Sequence, residues 1–315
     1  MNTILAFINS MPGALGQGLA WGIMAIGVYL TYRVLDVSDL TVDGSLATGG
    51  AVCAVAISMG VNPWLAVLLA VLAGMLAGLV TGFFHTKCGI PAILSGILTQ
   101  LALYSINLRI MGIGSSSATM ATIALNVNSH NLLLSSRYIR SLSLENPLIL
   151  LVIVVGLVIA ALYWFFGTEM GCSLRATGAN QNMARAQGIN TDFSKVLALV
   201  VANGLVALSG ALLAQYQGSA TVDMGRGAIV IGLAAVIIGE VLFSKLFHNF
   251  SLRLAGVVIG AIAYYVVIAL VIQLGLNTDD LKLFSAAFVA VALYIPYRKS
   301  HHSAKSLRKG GHHHA

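Results

Sequence analysis

Charge is what this chain has least of. Only 9% of its 315 residues are Asp, Glu, Lys or Arg, against about 25% in an average soluble domain, which is too little to cover a water-facing surface. That shortfall excludes a soluble enzyme, a nucleic-acid-binding module and a disordered chain together. Cysteine is scarce too. Cys53, Cys88 and Cys172 are odd in number and widely spaced, so neither a disulfide framework nor a CxxC metal motif can be built. The first charged side chain is Arg33, so no basic stretch precedes the first apolar run, and that run is expected to be a retained helix rather than a cleaved signal.

What is present is apolar and small. Hydrophobic residues make up 58% and glycines number 33, with a mean hydropathy of +0.91. The apolar runs are continuous rather than alternating, so they read as membrane-crossing helices and not barrel strands. The expected fold is an all-α polytopic membrane protein of about nine spans (8–10): 14–35, 43–60, 62–84, 91–112, 147–167, 194–217, 225–243, 251–275 and 280–296. Pro63, Pro91 and Pro147 fall in the first turns of their helices, and Pro296 closes the last span. Residues 113–146 read as a Ser/Asn-rich loop with a short surface helix.

The basic residues orient the chain. With the loop after the fifth span and the C-terminal tail in the cytoplasm, twelve of the seventeen Lys and Arg lie inside. Arg109, Arg137, Arg140, Arg226 and Lys282 lie outside. Thr41-Val42-Asp43-Gly44 opens the second span, and the similar Thr221-Val222-Asp223-Met224-Gly225 opens the seventh. The two spans run in opposite directions in this topology. Residues 14–112 and 194–296 are therefore expected to be inverted halves joined by a connector helix at 147–167, a construction common among transporters. Gly74 and Gly78, and Gly256 and Gly260, supply G-x-x-x-G faces for close helix packing.

The polar loop 168–193 carries the most information. Gln181–Gln187 is helix-competent, with Asn180 as its N-cap and Gly188 as its stop. A capped helix in a long cytoplasmic loop suits docking into a partner's groove. From Leu174 to Asn190 the chain resembles an R-x-x-G-x-N-x-x-A-x-x-x-G-I segment found in permease subunits of ABC importers of the branched-chain amino acid and ribose type. Asp39–Ser45, Ala102–Gly112 and Ile238–Phe243 look like a subgroup served by extracellular solute-binding lipoproteins, some linked to tryptophan or tyrosine uptake. The resemblance covers about residues 14–296 and leaves the basic cytoplasmic tail, 298–315, outside it. It implies a coupling role toward an ATPase for Arg175, Gly178, Asn180, Ala184, Arg185 and Gly188. It also implies a bacterial cytoplasmic membrane, an ATP-binding cassette subunit, a solute-binding protein and a second permease copy. No G-x-x-x-x-G-K-[ST] loop occurs, so ATP and Mg belong on the partner and this chain is not itself an enzyme.

Charged and amide residues near the membrane each have a structural and a functional reading. Asp39 and Asp43 are gate or exit-lining candidates, with Asp43 alternatively capping the second span and Asp39 pairing with Arg33. Arg109 either snorkels to the interface or meets a substrate carboxylate. Asn107, Asn203 and Gln215 either line a path or tie helices together. Glu240 pairs with Lys245 or forms a gate. Asp223 and Arg226 form a local ion pair or a docking contact for the binding protein. The tail histidines are assigned no metal.

The function expected is the permease subunit of an ATP-driven importer for a small solute, an amino acid and an aromatic one by resemblance. The alternatives are an ion-driven secondary transporter, disfavoured because the middles of the spans hold no acid, and a membrane scaffold.

Overall fold

The computed structural model describes residues 2–113, 117–125, 132–136, 146–243 and 249–273, with isolated positions between 283 and 294. The protein is a helical bundle. Its elements are α1 (Asn2–Tyr29), α2 (Val42–Ser58), α3 (Pro63–Thr86), α4 (Ala92–Gly112), α5 (Pro147–Gly167), α6 (Glu169–Ala179), α7 (Gln181–Ala186), α8 (Thr191–Gln217), α9 (Ala228–Phe243) and α10 (Phe250–Gln273). Two three-residue strands, β1 (Thr122–Ala124) and β2 (Ser219–Thr221), pair antiparallel; neither was expected from the apolar pattern. Among the described residues, seven stretches are long and apolar enough to cross a membrane, and α2 is an apolar helix of only 17 residues. Most of the ninth expected span, 280–296, the tail and most of the 113–146 loop lie outside the described residues.

Local chemistry sets the helix ends. Asn62 and Asn146 accept hydrogen bonds from Trp64 and Leu148 N–H while Pro63 and Pro147 fill the first helical position, where no N–H is needed. Pro91 sits one residue earlier, at the N-cap of α4. Gly218 closes α8 in a left-handed conformation with φ 71°, which costs a glycine nothing.

Small residues decide which helices touch. Gly74, Gly78 and Gly82 of α3 bring its backbone against Ala207, Leu199 and Val196 of α8, so the two run antiparallel. Gly18 and Gly22 of α1 face Ile262 and Val258 of α10 in the same manner. These close approaches are the packing that small residues permit inside a bilayer. α8 is the central element: Ser209 of α8 bonds to the Ala20 carbonyl of α1, and Gly210 lies on the Leu46 carbonyl of α2.

α2 is short because the chain re-enters the bundle before the helix begins. A π-helical turn, Leu30–Val34, ends the first span. Residues 35–41 then run as a non-helical segment, with Asp36 at φ 58°, whose Leu35, Val37, Asp39 and Thr41 are buried while Asp36 and Ser38 are exposed. This period-two burial carries Asp39 to Asn203, in the middle of α8.

Candidate functional site

The buried polar core is a network across five elements. Asp39 is 3% exposed; one carboxylate oxygen accepts from Thr41 N–H at 2.9 Å and the other from Asn203 Nδ2 at 2.7 Å. Asn203 Oδ1 accepts from the Ser45 hydroxyl at 2.6 Å. Thr41, Thr81 and Thr99 hydroxyls form a chain at 2.7 and 2.9 Å, tying the re-entrant segment to α3 and α4. Burial raises the Asp39 carboxyl above its ordinary pKa, opposed by the hydrogen bonds from Thr41 and Asn203. Asp39 therefore does not pair with Arg33. Its burial also removes part of the argument against ion coupling, since an acid does lie inside the bundle, in the segment between spans. Gln215 bridges Leu133 N–H and the Cys53 thiol, an interhelical tie.

Asp43 does not cap its own helix. The α2 N-cap is Thr41, without a side-chain bond. The Asp43 carboxylate instead accepts from Gly227 N–H at 2.9 Å and Ile229 N–H at 3.0 Å, so it caps α9, 184 residues on. Asp223 forms the expected ion pair with Arg226 at 2.9 Å, and the Arg226 guanidinium lies 5.9 Å from the Tyr104 ring centre. Arg109 is exposed and makes no ion pair among the described residues.

At the other end of the bundle, Arg33 meets Glu240 at 2.8 Å, joining the end of α1 to α9. Glu240 was expected to reach Lys245, which lies outside the described residues. A cavity of about 500 Å³ opens beside this pair among Arg33, Arg175, Gly178 and Arg253. The loop 168–193 is more ordered than the sequence reading: it is two helices, α6 and α7, hinged at Asn180. Asn180 caps α7 through Met183 N–H at 3.1 Å, and Gly188 (φ 79°) ends it, both as expected.

Several residues assigned to coupling have partners within the chain, and Ala184 among them is buried. The Arg175 guanidinium donates to the Phe166 carbonyl and sits 5.4 and 5.3 Å from the Phe166 and Phe250 rings, which locks α6 to α5 and α10. Gly178 lies on the Val34 carbonyl with no room for a Cβ, and Ala184 is 2% exposed. Arg185 bonds to Thr191 at 2.8 Å and Asp192 at 3.5 Å, bracing α7 to α8. The solvent-facing apolar side chains here are Met183 and Phe193, 65% and 55% exposed, with Met170 at 54%. The sequence pattern gives the α7 helix that carries Met183; the exposure of Met170 and Phe193 beside it needs the hinge geometry.

The family described as branched-chain amino acid transport system / permease component matches residues 10–295. The chain belongs to that family. It is 38% identical over 286 residues to a tyrosine transport system permease protein of Clostridioides difficile, covering 91% of each chain. The ribose import permease protein RbsC of Escherichia coli is 27% identical, over 74% of this chain and 69% of that one. Among solved structures, PsaBC from Streptococcus pneumoniae in complex with Fab shares the fold, with a TM-score of 0.53 at 18% identity, covering 92% of this permease and 95% of that chain. The protein is thus a multi-pass membrane component of a transport system. In this permease the polar network and the α6–α7 hinge belong to a transporter scaffold.

Proposed function

We propose that this permease is the membrane subunit of an ATP-driven importer in a bacterial cytoplasmic membrane, and that it carries an aromatic amino acid inward by alternating access. The observation that carries the reading is the 38% identity to the tyrosine permease, sustained over 91% of both chains. A separate ATP-binding subunit, holding ATP and Mg, grips the α6–α7 hinge through Met183 and Phe193. A solute-binding protein delivers substrate at the opposite end, and a second copy of the permease completes the path.

Packing supports inverted halves within the chain. A shift of 183 residues carries Gly49 onto Gly232 and Met24 onto Ala207, and Gly49 packs on Ala207 as Gly232 packs on Met24. The same shift carries Met75 onto Val258, whose partners Gly204 and Gly22 correspond to within one residue. α1 and its counterpart α8 run antiparallel, as inversion requires. The Arg33–Glu240 pair, bridging α1 and α9 beside α6, is the contact that opens when the halves rock.

Reconstitution with the ATP-binding subunit tests this. Met183→Asp is expected to release the ATPase on size-exclusion chromatography and to abolish ATP-driven tyrosine uptake while the permease still elutes as a folded species. Assembly and uptake unaffected by that variant would remove the hinge from the mechanism. Uptake without nucleotide that collapses with an ionophore would replace the importer with an ion-driven transporter.

A further inference from the structure

A cavity of about 350 Å³ lies between α2, α4 and the 3-10 turn Val222–Gly225, lined by Asp43, Leu101, Tyr104, Asn107 and Arg226 among others. Its size falls within the range of about 300–1,000 Å³ usual for small-molecule sites. Asn107 is the anomaly on its wall. It is 1% exposed, yet its Oδ1 has no hydrogen-bond partner. Ser95 and Thr99, on the same buried stripe of α4, both bond to carbonyls within the helix, and Thr99 also accepts from Thr81. The Asn107 side chain lines the cavity, so a turn of its amide toward the opening lets a ligand donor remove the free-energy cost of that empty acceptor.

The charges around it discriminate. Asp43 spends one lone pair of each oxygen on the N-terminus of α9 and has the others left for a cation. Arg226, held by Asp223, presents its guanidinium over the Tyr104 ring. A simple anion meets the Asp43 and Asp223 carboxylates, and a simple cation meets Arg226. A molecule bearing both charges is matched at each end, with Tyr104 and the 64% exposed Leu101 available to an apolar side chain. We infer that this cavity is a passage site for a zwitterionic amino acid, its ammonium on Asn107 and Asp43 and its carboxylate on Arg226. The inference rests on the importer reading and adds the residues that recognise the cargo.

The test uses the full complex in nanodiscs, with Cys88 and Cys172, both exposed, changed to serine and Leu101→Cys as the reporter for maleimide labelling. Saturating L-tyrosine is expected to slow labelling at least about fivefold. Tyramine, which lacks the carboxylate, and 3-(4-hydroxyphenyl)propionate, which lacks the ammonium, are expected to protect less than about twofold. Arg226→Gln, on an exposed side chain, and Asn107→Ala should both abolish protection by L-tyrosine; the first keeps the test valid if the second fails to fold. Equal protection by all three compounds, or protection that survives Arg226→Gln, overturns the inference. Absent protection alongside normal ATP-driven tyrosine uptake overturns it alone, whereas a wild-type complex without such uptake overturns the importer reading beneath it.

Discussion

Asp43 and Asp223 hold the same place in two look-alike stretches, Thr41–Gly44 and Thr221–Gly225, but their carboxylates have different work. Asp43 reaches across the bundle to the first N–H groups of α9, whereas Asp223 turns back on Arg226 three residues away, with both side chains more than half exposed. The stretches also touch: Gly225 packs directly on the Asp43 carbonyl, and Gly44 packs on Leu103 and Gln100. One carboxylate is therefore a long-range joint and the other a local pair at the surface. The comparison teaches that a motif's letters state which bonds are possible, and the neighbours state which are made.

Five substitutions at four positions sharpen that contrast, and each is read as the thermal midpoint of the detergent-solubilised permease. Gly225→Ala has the largest expected effect, a loss at or above about 3 kcal/mol, because a Cβ there meets the Asp43 backbone oxygen, which cannot swing away. Its counterpart Gly44→Ala should cost less, since the nearest atom is the flexible end of Leu103 at 2.9 Å; equal losses would break the asymmetry. Asp43→Ala comes next, at about 2 kcal/mol, by uncapping α9, and Asp43→Asn should restore part of it because one amide oxygen still accepts. Asp223→Ala should change stability by no more than about 0.5 kcal/mol, as an exposed ion pair within one turn is worth little and is screened by salt. A loss as large as that of Asp43→Ala would mean that Asp223 also holds a joint.

Much of the fold was legible before any coordinates. The span Pro147–Gly167 matches to the residue, and most others agree within four, because long apolar runs with Asn-Pro starts admit few other readings. The α7 helix with its Asn180 cap and Gly188 stop was legible for the same local reason. The re-entrant segment was not. Leu35, Val37, Asp39 and Thr41 alternate inward, a pattern too brief to stand out against flanking helices. Asp39 read as a gate candidate or a partner of Arg33 because Asn203, which it meets, is 164 residues away. The clasp of Arg175 by two aromatic rings and the seat of Gly178 on the Val34 carbonyl were not legible either, because both depend on elements far along the chain.

Composition and periodicity by themselves determined that this chain lives in a membrane, where most of its described spans begin and end, and which polar loop forms a capped helix. Those properties depend on transfer of apolar side chains and on hydrogen bonds closed within a few residues. Tertiary structure alone decided that Asp43 caps a distant helix, that Arg33 pairs with Glu240, and that Asn107 is left with an empty acceptor beside a cavity. Each of those outcomes depends on which backbones come together, and glycine contacts far apart along the chain set that approach.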